Sequence, residues 1–446
     1  MENLKNLIAK YETSGPRYTS YPTAPHFSPE TDKTRLRDSA LGGDMPMSLY
    51  IHIPFCENRC WFCGCSSSVC RDPAQADKYI DNLERELELW RGAGLSKREL
   101  RQIHFGGGTP NFLSVGQIER VGALIRKYFS VSADCEFSAE LDPRTLVRDK
   151  VEAFVKIGVN RASIGIQDTN ENVQRAINRV QPQEKNEAAA QWLRSAGVSE
   201  MNVDLLYGLP LQTPRTFAKT LEDALSLSPT RISLFGYAHV PWMMPAQKNL
   251  EKYPLPAPDE KVELFLTAKD FFEKNGYEYI GLDHFARPTD ALIRARENGT
   301  LHRNFQGYTT HAGLDNFAIG LTSISETKTS YRQNFKNMES YADSLSRGVL
   351  PIERGIILDG DDLLRRGVIM DVMCLLRVRF GDYGVDFKKV FASAFPKLGL
   401  MQADGLVEIF DDRFEVSNLG RLFLRNIAML FDGRLAKGVQ RYSKTI

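Results

Sequence analysis

Between residues 47 and 276, short apolar or β-branched runs alternate six times with amphipathic runs whose apolar residues recur at helical spacing. The spacing predicts strands over 48–54, 102–105, 135–140, 162–167, 201–207 and 231–236, and helices over 76–90, 115–129, 149–157, 184–195, 214–227 and 259–274. A strand that returns through a helix to its own sheet runs parallel to its predecessor, so six such units give a parallel sheet with outer helices. An open doubly wound sheet and a full or partial barrel both satisfy this pattern. The polar residues lean the choice toward a barrel. Gly106, Gly107, Gly108, Glu140, Asp142, Gln167, Asp168 and Asp204 fall at or near the C-terminal ends of the strand candidates, which in a barrel form one rim around one site.

The chain has 446 residues, more than one ordinary domain of about 100–200 residues holds. One large and one smaller domain are expected. After about residue 276 the alternation fades into a strand-like 278–282 and the polar stretch LHRNFQGYTTHAGLDN. A long helix is expected at 361–376. Near the end, GLVEIFDDRFEVSNLGRLFLRNIAMLF reads as strand, Asp-Asp turn, strand and helix, similar to a winged-helix hairpin. Asp411, Asp412 and Glu415 surround that hairpin, and their charge favours a packing or lid role over DNA binding.

A net charge of +1, without a long basic run, gives no electrostatic case for a nucleic-acid surface. The N-terminus lacks the apolar core of a signal peptide, and no stretch reaches about 18 uninterrupted apolar residues. With 42% hydrophobic and 25% charged residues, a globular protein with a sizeable core is expected, cytoplasmic, without a membrane span, and monomeric.

Of seven cysteines, four crowd into ten residues: Cys56, Cys60, Cys63 and Cys65. In a chain of this size such crowding favours metal ligation over a disulfide framework. Cys70, Cys135 and Cys374 are scattered and read as buried or half-buried small side chains. Soft thiolates suit iron-sulfur clusters or zinc. A structural zinc site wants four ligands in two separated pairs, and no second pair follows downstream. The spacing Cys56-x3-Cys60-x2-Cys63 therefore favours a [4Fe-4S] cluster with one iron left open.

Cys-x3-Cys-x-aromatic-Cys, with Phe62 before the third cysteine on the loop after the first strand, resembles the signature of the radical SAM superfamily. The Gly106-Gly107-Gly108-Thr109-Pro110 loop after the second strand is similar to the loop that this superfamily places on the methionine moiety. Glycines there let the backbone approach a ligand closely. The resemblance implies that S-adenosylmethionine chelates the open iron and that the reduced cluster cleaves it to methionine and a 5′-deoxyadenosyl radical. Glu140, Gln167 and Asp204, from strands three to five, offer acceptors and donors for ribose or ammonium groups. Arg179 offers a partner for a carboxylate.

Longer strings narrow the resemblance. GPRYTSYPTA at 15–24, LYIHIPFC at 49–56, the ending at Cys65, YAHVP at 237–241, DHFARP at 283–288, HRNFQGYTT at 302–310 and the closing GRLFLRNIAMLFD resemble the oxygen-independent coproporphyrinogen III dehydrogenase family of haem biosynthesis. This implies an α/β fold: a partial (β/α)6 TIM-like radical SAM barrel with an N-terminal arm and a smaller, mainly helical C-terminal domain carrying the winged-helix-like hairpin. The expected division is 1–45 as an arm over the active site, 46–285 as the barrel, 286–359 as its extension and connection, and 360–446 as a substrate-covering domain.

The implied reaction converts two propionate side chains of coproporphyrinogen III to vinyl groups, giving protoporphyrinogen IX, with a cellular electron donor. It uses two S-adenosylmethionine molecules. Carried over position by position, Tyr50, Phe62, Gly107, Gly108, Thr109, Glu140, Gln167, Arg179, Asp204, Ala238 and Ile324 would line their two sites. Cys65 matches a cysteine important for activity without being a cluster ligand, and Gln306 is a further candidate near the radical site. Arg17, Arg287 and Arg303 are candidates for the propionates of the tetrapyrrole. Ala318 departs from a common glycine, and 242–247 is family-variable. The alternatives are a haem-utilisation radical SAM methyltransferase and a haem chaperone relative. The latter usually lacks the second cysteine of Cys63-Gly-Cys65 and has a reduced N-terminal segment, whereas this chain keeps both.

Overall fold

The computed structural model describes residues 2–42, 45–435 and 442–445. Strands β1 Met47–Ile53, β2 Glu99–Gly107, β3 Ser130–Leu141, β4 Arg161–Gln167, β5 Glu200–Tyr207 and β6 Arg231–Gly236 pair in parallel in that order. Helices Ala74–Gly92, Val115–Tyr128, Arg148–Ile157, Gln183–Ser195 and Pro214–Ser226 make the crossovers, and Pro258–Lys274 follows β6. Local chemistry sets their ends. Ser114 and Gln117 form a capping box at one start, and Thr213 caps another with Pro214 in the first turn. Gly158 ends Arg148–Ile157 at φ +116°, a left-handed conformation that glycine adopts without a Cβ penalty.

Alternation along each strand divides the molecule into an apolar outside and a polar inside. Ile51, Ile103, Phe105, Phe137, Ile164, Val203 and Leu234 belong to the main core. The residues between them point the other way: His104 bonds to Glu140 and Ser163 to Asp204 across strands, while Tyr50 bonds to His52 on its own strand and stacks on His104. A barrel with this interior is built to receive a polar ligand.

The sheet continues on both sides. β7 Glu278–Gly281 and β8 His284–Ala286 extend it antiparallel beyond β6. A separate hairpin joins β9 His302–Asn304 to β10 Gly307–Thr309. Beyond β1 lie β11 Asp315–Ile319, parallel to it, and then β12 Ile324–Glu326, β13 Ser330–Asn334 and β14 Ile352–Ile357, completing a 12-stranded sheet. The polar stretch after 300 is thus strand-bearing, where the hydrophobic pattern signals no strand. Farther on, β13, SYRQN, is polar yet buried at every residue. The Arg332 guanidinium lies over Trp90 at 4.5 Å and Phe317 at 5.0 Å. Asn334 donates to the fully buried carboxylate of Glu86 (2.7 Å), as do Tyr341 (2.6 Å) and the Gly320 amide (2.9 Å). A strand buried through such a network leaves no apolar signature.

The C-terminal part holds helices Gly360–Cys374, Phe395–Ala403 and Leu424–Met429. It also holds a small sheet of β15 Arg377–Arg379, β16 Val407–Ile409 and β17 Arg413–Val416, with Asp411 and Asp412 at the hairpin turn. Its core includes Val368, Val372, Phe414 and Phe431 together with Leu7 and Tyr18 of the N-terminal arm. The arm is also fixed by polar contacts: Tyr18 donates to Asp432 (2.9 Å), and Arg425 donates to the carbonyl of Pro16 (2.9 Å). From there Arg17 reaches the rim, donating to Asp283 (3.1 Å) and to the carbonyl of Gly236 at the end of β6 (3.4 Å).

Candidate active site

The cysteine loop leaves β1 and is pinned at both ends. Phe55 and Cys56 pair with Ser68 and Val69, and the Trp61 amide donates to the Ile177 carbonyl (3.0 Å). Trp61 and Phe62 pack on Val173, Leu209 and Leu250, and the Phe62 carbonyl accepts from Gln247 (3.1 Å). The aromatic residue before the third cysteine therefore anchors the loop.

Every candidate ligand sulfur has a donor. Thr109 Oγ1 lies 3.3 Å from Cys56 Sγ, and Arg144 Nη2 and Arg179 Nη1 each lie 3.4 Å from Cys60 Sγ. The Cys65 amide is 3.4 Å from Cys63 Sγ. A hydrogen bond from Cys65 and the cations of Arg59 and Arg179 hold the Cys63 thiol below its usual value against its burial. Burial pushes Cys56 upward instead. Among the described residues, no three His, Cys, Asp or Glu side chains converge as around a single metal ion. Three thiols on one loop, met by N–H and O–H donors, fit the corners of a [4Fe-4S] cluster better than a mononuclear site.

The glycine loop is shaped by close approach. A Cβ on Gly108 would stand 2.7 Å from the Phe55 carbonyl oxygen, and one on Gly107, at φ +112°, would stand 2.5 Å from the His52 ring. One on Gly106 would meet Tyr50 at 3.0 Å and Glu140 at 3.1 Å. Glu140 accepts from the Gly107 amide (3.2 Å), and His104 bridges it (3.1 Å) to Ser138 (2.6 Å). Burial favours the neutral acid, but His104 and the Gly107 amide outweigh it and hold the Glu140 carboxyl below its usual value.

Arg179 is 6% exposed. Besides Cys60 it donates to Asp142 (3.2 Å) and the Gly165 carbonyl (2.6 Å), while its buried Nε has no partner. Asp142 also takes Arg144 (2.6 Å). Burial opposes ionisation of Asp142, yet Arg179 and Arg144 hold it at about 2. A Cβ on Gly165 would clash with Gln167 and Arg179, so this glycine admits both. Asp204 receives Ser163 and Asn202 at 2.8 Å each. Burial wins there and lifts its carboxyl to about 6.

These candidates therefore gather at one end of the barrel. Ile324 belongs with them: the pairing of Asn316 with Glu326 sets it beside Ala318, which is in register with Tyr50. Ala238 lines a cavity of about 650 Å³ beyond β5 and β6, with Arg17, Tyr207, Lys261, Asp283 and Arg425. Arg303 and Gln306 lie on the β9–β10 hairpin, whose Thr309 accepts from Gln102 inside the barrel (3.2 Å). Arg287 stands apart. Its amide bonds to the Thr230 carbonyl at the N-terminal end of β6, and its guanidinium stacks on Tyr277 at 4.1 Å, at the opposite end from the rim.

His52, His104, Arg144, Lys261 and Arg425 were not singled out from the sequence. His52 and His104 carry a usable signal, because each is a polar residue on the inward phase between apolar neighbours, Ile51 and Ile53 or Ile103 and Phe105. Lys261 and Arg425 carry none, since elements remote in sequence bring them to the cavity.

The radical SAM superfamily pattern matches residues 50–224. The oxygen-independent coproporphyrinogen III oxidase of Escherichia coli is 41% identical over 447 residues, covering 99% of this chain and 98% of the relative. That of Pseudomonas aeruginosa is 39% identical over 452 residues, again covering 99% and 98%. A solved structure of the Escherichia coli enzyme, described as a radical SAM enzyme, superposes with a TM-score of 0.91 at 40% identity, over 94% of this chain and 98% of that one. Full-length likeness in sequence and fold, on a chain with the three-cysteine loop and its glycine cradle, means that this protein belongs to the oxygen-independent coproporphyrinogen III oxidase family.

Proposed function

We propose that this chain carries out the oxygen-independent oxidative decarboxylation of two propionate side chains of coproporphyrinogen III, giving the vinyl groups of protoporphyrinogen IX. The observation that carries this reading is the placement of Cys56, Cys60 and Cys63, each sulfur met by a donor, beside the polar barrel interior. When bound, the cluster and S-adenosylmethionine would supply the radical chemistry for removing hydrogen from the β-carbon of a propionate.

The chain's own residues bind, orient and exclude water. Cys56, Cys60 and Cys63 would hold the cluster, with Arg179 and Arg144 offsetting the charge on Cys60. Gly107 and Gly108 leave room for the methionine backbone, and Glu140 fixes that loop from below. Tyr50, Phe62, Thr109, Gln167, Asp204, Ala238 and Ile324 would complete sites for two S-adenosylmethionine molecules. The unpartnered Nε of Arg179 faces such a ligand's carboxylate in this reading. Cys65, hydrogen-bonded to Cys63, would act beside the cluster without ligating it. Arg17 and the residues around it would close the arm over the substrate. Among the described residues, no helix is long and apolar enough to cross a membrane.

The test is anaerobic reconstitution followed by reductant, S-adenosylmethionine and coproporphyrinogen III. Formation of 5′-deoxyadenosine together with di-vinyl product is expected. Abundant 5′-deoxyadenosine without any decarboxylated porphyrinogen would overturn the substrate assignment. Methylated or ring-opened products from haem would point to the haem-utilisation alternative. Deleting residues 1–25 should abolish turnover; unchanged turnover would remove the arm from the mechanism.

A further inference from the structure

Arg303, the middle residue of β9, is 4% exposed, yet its Nε and Nη1 reach no acceptor. Among the described residues no carboxylate pairs with it. Its guanidinium lies over the ring of Tyr308 at 4.9 Å. The same ring meets the imidazole of His284 edge-on at 5.2 Å, while the Tyr308 hydroxyl is taken up by the Met373 carbonyl (2.8 Å). His284 Nδ1 and Gln306 Nε2 are buried and likewise unpartnered. Polar groups in this condition are rare, because each forfeits water without a replacement. Three of them, all able to donate and all on or against one hairpin, lack a common acceptor.

The location suits a substrate. His284 is in register with Ser233, and Ser233 with Asp204, so His284 shares a row of the sheet with a candidate S-adenosylmethionine residue, and the separate hairpin that carries Arg303 and Gln306 packs against it through Tyr308. The charge suits one carboxylate. Burial first, then Arg303, Arg231 and Arg17, push the His284 imidazole down to about 3, leaving it a neutral hydrogen-bonding group beside the unpaired Arg303. On the far side of His284, Phe235 meets it at 6.0 Å and carries the Arg17 guanidinium at 6.0 Å. Guanidinium, aromatic ring, imidazole, aromatic ring and guanidinium thus follow one another, with Arg17 at one end ion-paired to Asp283 and Arg303 at the other end left unpaired.

We propose that Arg303, His284 and Gln306 form the receptor for one propionate carboxylate of the tetrapyrrole, with Arg303 supplying the charge and the other two completing its hydrogen bonds. This rests on the substrate class proposed above. His284 is thereby a binding residue that anchors the macrocycle within the barrel.

The test uses anaerobically reconstituted holoenzyme and two stable probes, coproporphyrin III and its tetramethyl ester, with binding followed by porphyrin fluorescence. Arg303→Gln should weaken the free acid by about tenfold or more, as expected for loss of a charge-assisted contact, and leave the ester unchanged. Arg303→Lys should recover part of the loss. Equal weakening of acid and ester, or no weakening of either, would overturn the proposal. Should Arg303→Gln yield no folded holoenzyme, His284→Asn carries the same comparison, with a loss of about threefold for the acid alone expected; unchanged discrimination between the probes would again overturn it. If wild-type holoenzyme forms 5′-deoxyadenosine but binds neither probe and makes no vinyl product, the substrate reading itself fails, a result distinct from either variant outcome.

Discussion

The guanidinium of Arg179 donates to the sulfur of Cys60 across 3.4 Å, joining residues 119 positions apart in the chain. A cation and hydrogen bond on a ligating thiolate stabilise the more reduced, more negative cluster. Arg179→Gln should therefore lower the reduction potential of the bound cluster while retaining its iron. An anaerobic redox titration followed by electron paramagnetic resonance checks this, and an unchanged potential would refute it.

Gly108 stands where a Cβ would lie 2.7 Å from the Phe55 carbonyl oxygen and 2.8 Å from the Pro54 carbonyl carbon. Both are backbone atoms of the segment leading into the cysteine loop, so no side-chain rotation relieves the clash. Gly108→Ala should cost about 1–3 kcal/mol and displace the loop. The expected outcome is reduced iron content and at least a tenfold loss of 5′-deoxyadenosine formation. Wild-type values for both would show that the loops move apart freely.

Asp204 provides a pH test. Burial raises its carboxyl from 3.8 to about 6, and the hydrogen bonds from Ser163 and Asn202 return only part of that rise. The folded protein holds this proton where the unfolded chain has lost it. Stability should therefore fall as pH rises from about 4 through about 6, and stay level above. Asp204→Asn removes this loss. In thermal unfolding of the apoprotein, the variant should exceed wild type at about pH 8, with the gap closing toward pH 4. A gap of the same size at both ends would contradict the assignment.

Glu86 tests the part of the sheet that the hydrophobic pattern does not announce. Its buried carboxylate accepts from Tyr341, Asn334 and the Gly320 amide, binding the helix Ala74–Gly92 to β13 and to the turn after β11. Glu86→Ala leaves these donors unpaired and should destabilise the protein by about 3 kcal/mol, measured as a lower urea midpoint. A shift below about 0.5 kcal/mol would mean that water replaces the carboxylate without loss.

The barrel was legible because its strands and helices carry their periods in plain view. The six strands and their helices follow from runs such as LYIHIP and RASIGIQ, in which one side must pack on helices. The cluster loop was legible for a different reason: three thiols within eight residues form a local unit whose chemistry does not depend on distant partners. Sequence order also set Gly107, Glu140 and Gln167 at strand ends, and hence on one rim.

What the tertiary structure alone decided are the relationships between residues far apart in the chain. Strand β13 is not legible in the sequence because Arg332, Gln333 and Asn334 are buried by partners elsewhere, and burial by hydrogen bonding has no periodic signature. Arg17, Arg287 and Arg303 look equivalent as sequence, three arginines in distinctive strings. Folding separates them: Arg17 pairs with Asp283 at the cavity, Arg287 stacks on Tyr277 at the far end, and Arg303 is buried with its donors unmet. A side chain's charge is fixed by its type, but whether that charge is neutralised or left for a ligand depends on which acceptors the fold brings within about 3 Å of it.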